Sequence, residues 1–412
     1  MKKSLVALVA ALGACFMAAQ GAEAKSLEDV LKEKGVITEA DYQEIAKSSA
    51  KLDYKLGKGF TVTSADEKFQ LTMGGRVMVK YTFLDKDNGQ DMSQFALATG
   101  QLWWTGYAFT KDLTYNVRIN VGNSGKNTML ETAYVKYRFM DEIQLLAGQD
   151  KLAFGRQNLS AAGNLQFVAV SPVTSAFAPG YDLGAAASGN VLGGKINYVL
   201  GVSNGAGATT ARSTNNNAFL ARLQVNPFGA FGFVEADTTR SAKPLVTVGS
   251  SFYMNSLARN ATGFETNNLG YAGTSGWLGK NVASFATTEK VDINSVNIDA
   301  AVKWMGASAQ AEYFWAQGDG QLTNNTVRAQ GYYLQAGYMV LPKLEVAMRY
   351  SYLDPNRDAA NDSQTEILGG VSYYFNNHAM KVQADIGNIH TQKSSGIPTD
   401  DMQYRMQVAV VF

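Results

Sequence analysis

Cysteine is almost absent from this 412-residue sequence, and histidine and proline are scarce. The single cysteine is Cys15, the 2 histidines are His378 and His390, and there are 7 prolines. Because Cys15 falls in a predicted leader, a disulfide framework and a cysteine-based metal site are both excluded. The shortage of proline favours long, regular strands, since proline cannot donate to a strand ladder.

Net charge and long apolar runs are also missing. The sequence has 36 basic and 35 acidic residues, and loss of the predicted leader with Lys2, Lys3 and Glu23 leaves 34 of each. We therefore expect no nucleic-acid binding. After the leader there is no run of about 18 apolar residues, which argues against membrane-spanning helices. Zinc-protease, Walker and dinucleotide motifs are absent, so we expect neither an enzyme nor a bound cofactor or metal.

The N-terminal residues predict a secretory signal peptide, residues 1–24. Lys2 and Lys3 precede an apolar stretch, and Ala22-Glu23-Ala24 supplies a small-residue cleavage site. Leu12-Gly13-Ala14-Cys15 also resembles a lipobox, so lipidation of Cys15 is the alternative. The apolar stretch continues past Cys15, which favours the signal-peptide interpretation.

Residues 25–50 differ from everything that follows. Ser26 and Thr38 each open a capping-box pattern ahead of apolar residues at helical spacing. The segment predicts a short periplasmic helical element, with a linker or an oligomerisation helix as alternatives.

From about residue 54, apolar and polar residues alternate with period two, which indicates strands. The strands run for about 10–13 residues, which is longer than the usual soluble strand and typical of a tilted membrane strand. Tight links such as Pro227–Gly229 alternate with longer polar links, of which residues 255–290 are the longest. The pattern predicts an all-β fold, a transmembrane antiparallel β-barrel over residues 51–412. We expect 16 strands, with 18 as the alternative because residues 54–63 and 164–170 are ambiguous.

The last residues form one more alternating strand. Tyr404, Met406, Val408, Val410 and the terminal Phe412 share a face. A terminal phenylalanine on such a strand resembles the signal that the barrel-assembly machinery reads, so that machinery is an expected partner.

If apolar faces meet lipid, the opposite faces line the interior, where we count ten basic residues and four acidic ones. This excess predicts a wall that attracts anions. The alternative is that the arginines pair with loop acids and stiffen the pore. The acids are Asp150, Asp299, Glu345 and Asp385, and the basic residues are Arg76, Lys80, Arg118, Lys136, Arg138, Arg222, Lys303, Arg349, Lys381 and Arg405.

Residues 151–180 predict a constriction. The segment contains Leu159, Leu165 and Phe167, which an exposed loop would not favour, whereas a loop folded into the lumen could bury them. Lys151 and Arg156 would then lie near the narrowest point. The alternative is an additional strand at residues 164–170.

Four segments resemble the phosphate-selective porin O and P family. They are Phe69–Arg76 (FQLTMGGR), Gly148–Gly155 (GQDKLAFG), Ala176–Gly184 (AFAPGYDLG) and Tyr198–Gly205 (YVLGVSNG). The resemblance implies a 16-stranded barrel, usually trimeric, with an inward-folded third loop that passes anions.

Two departures from the family pattern change the expected selectivity. Ala153 stands where the family has proline, and Tyr181 stands where arginine is common. Lys151 and Arg156 are the only basic residues in 151–180, so we expect a general anion preference rather than phosphate specificity.

The expected function is therefore an outer-membrane porin for small anionic solutes, in contact with outer-membrane lipid. One alternative is a barrel that acts as a sheath around a partner such as a cytochrome, which would bring its own redox cofactor. The other is a surface adhesin, for which the long external loop at 255–290 is the only support.

Overall fold

The computed structural model describes residues 32–36, 38–40, 49–122, 130–212, 215–266, 268–393 and 396–412. The predicted signal peptide 1–24 with Cys15, and most of the predicted helical segment 25–50, lie outside the described residues. The chain divides into two units, and in the N-terminal one Lys32 Nζ lies 2.6 Å from Glu39 Oε2. No helix in the described part of the chain is long and apolar enough to cross a membrane.

The second unit consists mainly of strands, which are joined in a single 18-stranded sheet. The strands are β1 (Lys51–Lys55), β2 (Gly59–Thr63), β3 (Phe69–Asp85), β4 (Met92–Ala108), β5 (Thr110–Asn120), β6 (Leu130–Met140), β7 (Ile143–Lys151), β8 (Tyr181–Val191), β9 (Ile196–Ser203), β10 (Ala218–Val225), β11 (Leu245–Ala258), β12 (Lys290–Trp304), β13 (Ala307–Gly320), β14 (Thr326–Leu341), β15 (Leu344–Asp354), β16 (Gln364–Asn376), β17 (Met380–Thr391) and β18 (Thr399–Val411).

Strands β3 to β18 form a closed ring. Each pairs antiparallel with the next, and β18 pairs with β3, so that Val411 lies opposite Arg76. The barrel therefore has 16 strands, which confirms the predicted fold and strand count. Closure removes the free edges that an open sheet would present.

The two ambiguous segments do not add strands to the ring. Residues 54–63 contribute to the β1–β2 hairpin, in which β2 pairs with β3 below the end of β18, with Phe60 opposite Met73. The Glu67 carboxylate, in the turn after β2, accepts hydrogen bonds from Lys51 and Lys111. These contacts lower the pKa of Glu67 to about 2. Residues 164–170 form no strand, so the predicted alternative of a strand there is wrong.

The two faces of the barrel wall follow the period-two pattern. Val77 and Val79 are 41% and 44% exposed on the outside, whereas Met78 between them is 2% exposed. Successive strand side chains point to opposite faces, so the apolar residues that would contact lipid alternate with those that face the interior.

One connection at the short-turn end is long. The predicted tight link at Pro227–Gly229 is part of a 226–244 connection between β10 and β11, which we call the β10–β11 connection. It enters the barrel, where Phe231 is 6% and Glu235 is 3% exposed.

Residues 152–180, which connect β7 to β8, also fold into the barrel, and we call them the inward loop. Helix α1 (Arg156–Leu159), a 3-10 turn (Ala162–Asn164) and helix α2 (Pro172–Phe177) shape it. Helix α2 begins at Pro172 because the Ser171 hydroxyl accepts from the Thr174 N–H at 3.0 Å and proline is well suited to the first helical turn.

Residues 259–289 between β11 and β12, which we call the long loop, correspond to the predicted loop 255–290. They carry helix α3 (Trp277–Lys280) and 3-10 turns at Gly270–Ala272 and Val282–Ser284. Trp277 stacks on Phe177 of the inward loop, with ring centroids 6.4 Å apart, and Phe177 stacks on Phe314 of β13 at 5.4 Å. This packing gives the long-loop end of the barrel an apolar core on its β11–β15 side.

Candidate functional site

Three of the predicted interior arginines are neutralised on the wall. Arg222 lies 2.7 Å from Asp299, Arg349 lies 2.9 Å from Glu366, and Arg405 lies 2.7 Å from Asp385. All three pairs lie on strands β10 to β18 and are almost fully buried. The partners of these arginines are carboxylates on other wall strands, whereas the alternative interpretation expected acids from the loops.

The remaining interior cations have no such partner. Among the residues that the structure describes, no carboxylate oxygen lies within 4.0 Å of their charged nitrogens. Lys381 instead donates to the Leu165 carbonyl at 2.6 Å, and Lys303 lies 5.5 Å from the Phe231 ring centroid. The cations without a carboxylate partner are Arg76, Lys80, Arg118, Lys136, Lys151, Arg156, Lys303 and Lys381.

Arg138 is not part of the interior wall. It is half exposed at the end of β6, where it forms ion pairs with Asp112 at 2.7 Å and Asp141 at 3.2 Å. Asp141 belongs to the short turn after β6, so Arg138 lies at the rim of the barrel. Its placement on the lumen wall was wrong, because β6 extends beyond the part of the wall that encloses the interior.

The count of four interior acids was too low. Glu312 on β13, Glu366 on β16 and Asp182 on β8 are buried, and Glu235 and Asp237 enter with the β10–β11 connection. Most of these carboxylates lie on the half of the barrel that the inward loop and the β10–β11 connection fill. The local distribution of charge therefore matters more than the overall excess of basic residues.

Glu131 is an interior acid that the alternation pattern misses. A register shift between β5 and β6 places Arg118 opposite Thr132 but Ile119 opposite Leu130, so Glu131 has no partner of its own. Its carboxylate accepts from Asn120 at 2.8 Å and from Gln101 at 2.5 Å, both on the interior face. A bulge interrupts the alternation of side chains, which accounts for the missed residue.

Lys151 lies where the wall meets the inward loop. Its Nζ donates to the Asn158 carbonyl at 2.8 Å and lies 5.2 Å from the Tyr181 ring centroid. It interacts electrostatically with the carboxylates of Glu131 and Asp150 and with the guanidinium groups of Arg118 and Arg76, so these wall residues and Lys151 form one cluster.

The inward loop borders this cluster at its turn. A Cβ atom placed on Gly163 would come within 3.1 Å of Arg76 Nε. The Nε atoms of Arg76 and Arg118 are buried without a hydrogen-bond partner among the described residues. The Arg76–Arg118–Lys151 cluster thus retains unused donor capacity close to the loop.

Arg156 has different surroundings. Its side chain is fully buried, and its guanidinium carbon lies 4.6 Å and 5.5 Å from the ring centroids of Phe231 and Phe233. Its Nη2 donates to the Gly232 carbonyl at 2.7 Å. The structure therefore does not bring Arg156 together with Lys151 at one opening, although both lie at the start of the predicted segment.

Two buried carboxylates hold the inward loop against the wall. Glu312 accepts from the backbone N–H groups of Arg156 and Gln157 at 2.7 and 2.6 Å, and from the Tyr333 hydroxyl at 2.7 Å. Glu235 accepts from the Gln157 side chain and from the Gln166 backbone N–H at 2.9 and 2.7 Å. Charge-assisted bonds of this kind are among the stronger hydrogen bonds in proteins.

A histidine at the short-turn end supports the same loop. His378 Nδ1 lies 3.1 Å from the Gly163 carbonyl oxygen, and the ring packs against Tyr374. Burial, together with the charge of Lys381, lowers the pKa of His378 well below its usual value. The lowered pKa favours the neutral form of the ring.

A cavity of about 520 Å³ remains between the interior faces of β6–β10, the inward loop and the β10–β11 connection. Lys136, Lys151 and Arg222 contribute positive charge to its lining, and Asp150 and Asp182 contribute negative charge. Across the described residues, no group of three or more histidine, aspartate or glutamate side chains is arranged to hold a metal ion.

Comparisons with known proteins support the same architecture. The sequence profile of the phosphate-selective porin O and P family matches residues 71–411. A protein of Aquifex aeolicus (strain VF5) without a described function is 23% identical, over 87% of this chain and 89% of that protein.

Solved structures of outer-membrane proteins are similar in fold. An anion-selective porin from Comamonas acidovorans superposes with a TM-score of 0.58 at 11% identity, over 83% of this chain and 99% of that one. The trimer form of OmpT, an outer-membrane protein of Vibrio cholerae, gives 0.54 at 12% identity, over 82% and 98%. At such low identity these similarities show the fold alone.

Proposed function

Since the chain belongs to the phosphate-selective porin O and P family, which makes it an outer-membrane channel for small solutes, we propose that this channel prefers anions. Its selectivity arises at the Arg76–Arg118–Lys151 cluster, beside the turn of the inward loop. The observation that carries the proposal is the absence, among the described residues, of a carboxylate within 4.0 Å of these three cations.

Charge placement explains how the preference arises. Cations on the wall of a narrow, water-filled passage raise the local anion concentration and lower the barrier to anion entry. Paired arginines such as Arg222 contribute little to this field, because Asp299 neutralises them at close range. Glu131 lies near the cluster without neutralising any of its cations at close range, because its carboxylate accepts hydrogen bonds from Asn120 and Gln101.

The preference is general rather than phosphate-specific. Of the two basic residues in 151–180, only Lys151 belongs to the cluster, because Arg156 is buried against Phe231 and Phe233. The Comamonas acidovorans porin, which has the same fold, is described as anion-selective.

Lys151→Glu in planar bilayers tests the proposal. In a KCl gradient we expect the wild-type reversal potential to lie toward the chloride equilibrium potential. That of the variant should move toward the potassium equilibrium potential. Lys195→Glu, a charge reversal in the exposed turn between β8 and β9, is the control and should leave the potential close to wild type. A cation-preferring wild type, or equal potentials for Lys151→Glu and wild type, would reject the proposal.

We further propose a homotrimer embedded in outer-membrane lipid and inserted by the barrel-assembly machinery. The trimer form of the Vibrio cholerae protein supports the oligomer, and the exposed apolar outer face supports the contact with lipid. The mass of the detergent-solubilised protein tests the oligomer, which is wrong if that mass equals one chain.

The sheath and adhesin alternatives gain no support from the arrangement of the loops. The inward loop and the β10–β11 connection occupy interior space that an enclosed partner would need. The long loop buries Trp277 and Leu278 against Phe177 and Gly318 instead of presenting them at the surface.

A further inference from the structure

The cavity beside the inward loop has an unusual wall for a water-filled channel. Strand register places Leu146 opposite Ala186, Ala186 opposite Gly201, and Gly201 opposite Leu220. The interior face thus recedes at Ala186 and Gly201, between two leucines. The result is an apolar depression on strands β7–β10 that forms part of the cavity of about 520 Å³.

The opposite side of the cavity is also apolar. Leu152 and Leu159 approach from the inward loop, and Phe231 and Phe233 approach from the β10–β11 connection. These two segments are held in place by Glu312 and Glu235, so the aromatic side of the cavity is fixed rather than a surface that flexes freely.

Positive charge borders this apolar region at two levels. Lys136 lies opposite Leu146 in the β6–β7 register, and Lys151 lies at the end of β7 next to the inward loop. Neither lysine has a carboxylate within 4.0 Å among the described residues. The cavity therefore combines an apolar centre with two lysines that have no carboxylate partner at its border, where Asp150 and Asp182 also lie.

We propose that the cavity is a subsite for organic anions with an apolar body, such as aromatic carboxylates. This inference rests on the proposed anion preference and adds the class of solute. A carboxylate can remain hydrated beside Lys136 or Lys151 while its ring displaces water from the leucine and phenylalanine side chains. Inorganic phosphate gains nothing from those walls and would lose hydration against them.

Block of the chloride current in planar bilayers tests the class of solute. Benzoate, acetate and inorganic phosphate are added in turn to the wild-type channel in KCl. Burial of the ring should give benzoate a half-blocking concentration about tenfold lower than that of acetate. Acetate or phosphate that blocks at the same or a lower concentration than benzoate would overturn the inference.

Gly201→Leu tests the location, because it fills the depression without strain on the backbone. A Cβ atom at Gly201 would meet its nearest heavy atom at 3.7 Å, and the residue has no positive φ. We expect the half-blocking concentration of benzoate to rise about tenfold, as the apolar contact is lost.

Gly369→Leu is the matched control. It lies on the outward face of β16, where the nearest heavy atom to a new Cβ would be 4.0 Å away. Benzoate block that is unchanged in Gly201→Leu, or weakened equally in Gly369→Leu, overturns the location. An anion-preferring channel without benzoate block rejects this inference alone, whereas a cation-preferring wild type rejects the proposed function with it.

Discussion

Arg156 and Lys151 show how two cations close together in sequence come to differ in role. Arg156 is fully buried between Phe231 and Phe233, where its charge is stabilised by the faces of the two rings. Its guanidinium donates to Gly232 and its backbone N–H donates to Glu312, so it links the β10–β11 connection, the inward loop and β13. Arg156 therefore acts as an anchor for the inward loop.

Replacing this anchor should affect stability more than selectivity. Arg156→Met keeps an apolar stem between the rings but leaves the Gly232 carbonyl without its donor, a loss of about 1–3 kcal/mol for a buried polar group. We expect a lower thermal midpoint in detergent and a noisier single-channel current, with little change in the reversal potential. A shift of reversal potential as large as that of Lys151→Glu would place Arg156 on the ion path instead.

The sequence predicts interior side chains well only where strands are regular. Arg76 and Arg118 follow the period-two pattern of their own strands, and their Nε atoms are buried. Glu131 was missed because a bulge changes the register of β6, and Arg138 was misplaced because alternation does not reveal where the enclosing wall ends. Ion pairs such as Arg222–Asp299 depend on residues 77 positions apart, which the sequence alone cannot bring together.

At the scale of elements, two connections enter the barrel from opposite ends and hold each other in place. The Glu235 backbone N–H donates to the Asn164 carbonyl at 3.1 Å. The Glu235 carboxylate accepts from Gln157 and Gln166 of the inward loop and from Gln310 and Gln335 of the wall. One side chain therefore joins the β10–β11 connection, the inward loop and strands β13 and β14.

Glu235→Ala should loosen the inward loop. Removal of the carboxylate leaves several buried donors without an acceptor, at about 1–3 kcal/mol each. We expect a lower thermal midpoint and a larger or fluctuating single-channel conductance, because the inward loop can then leave the wall.

Glu289→Ala provides a matched control for this prediction. Glu289 is a fully buried carboxylate that accepts from Ala286 of the long loop and from Leu322 and Thr323 of the β13–β14 turn, none of which belongs to the inward loop. Its replacement should lower the thermal midpoint while leaving conductance unchanged. If both variants change conductance equally, the effect is one of general destabilisation and Glu235 has no special role.

The inward loop could be predicted as an element, whereas the β10–β11 connection could not. The apolar residues of 151–180 favoured burial, and the structure places that segment inside the barrel. In the β10–β11 connection, Pro227 and Gly229 gave the appearance of a tight turn. The available signal was the pair Phe231 and Phe233. These aromatic residues come shortly after Gly229, and two large rings are poorly suited to a solvent-exposed position.

At the scale of the whole molecule, sixteen strands become a closed wall only where β18 meets β3. This seam ends at Phe412, whose backbone exchanges hydrogen bonds of 2.8 and 2.9 Å with Gly75. A Cβ atom on Gly75 would come within 2.6 Å of the Phe412 ring, so the ring lies directly over that glycine. The β1–β2 hairpin continues the pairing of β3 just below, which makes Phe412 the junction of the wall and the hairpin.

Phe412→Ala should reduce assembly more than it reduces the stability of the finished barrel. Phe412 is 43% exposed, so its loss removes only part of the area that a fully buried ring would contribute, whereas a terminal phenylalanine on the closing strand is what we expect the assembly machinery to bind. We expect a severalfold fall in the amount of protein in the outer membrane, with a similar thermal midpoint for the fraction that folds. Phe375→Ala is the control. Phe375 is 44% exposed near the C-terminal end of β16, just as Phe412 follows the C-terminal end of β18. Equal outer-membrane amounts for the two variants would mean that the terminal residue serves only to pack against Gly75 and carries no assembly signal.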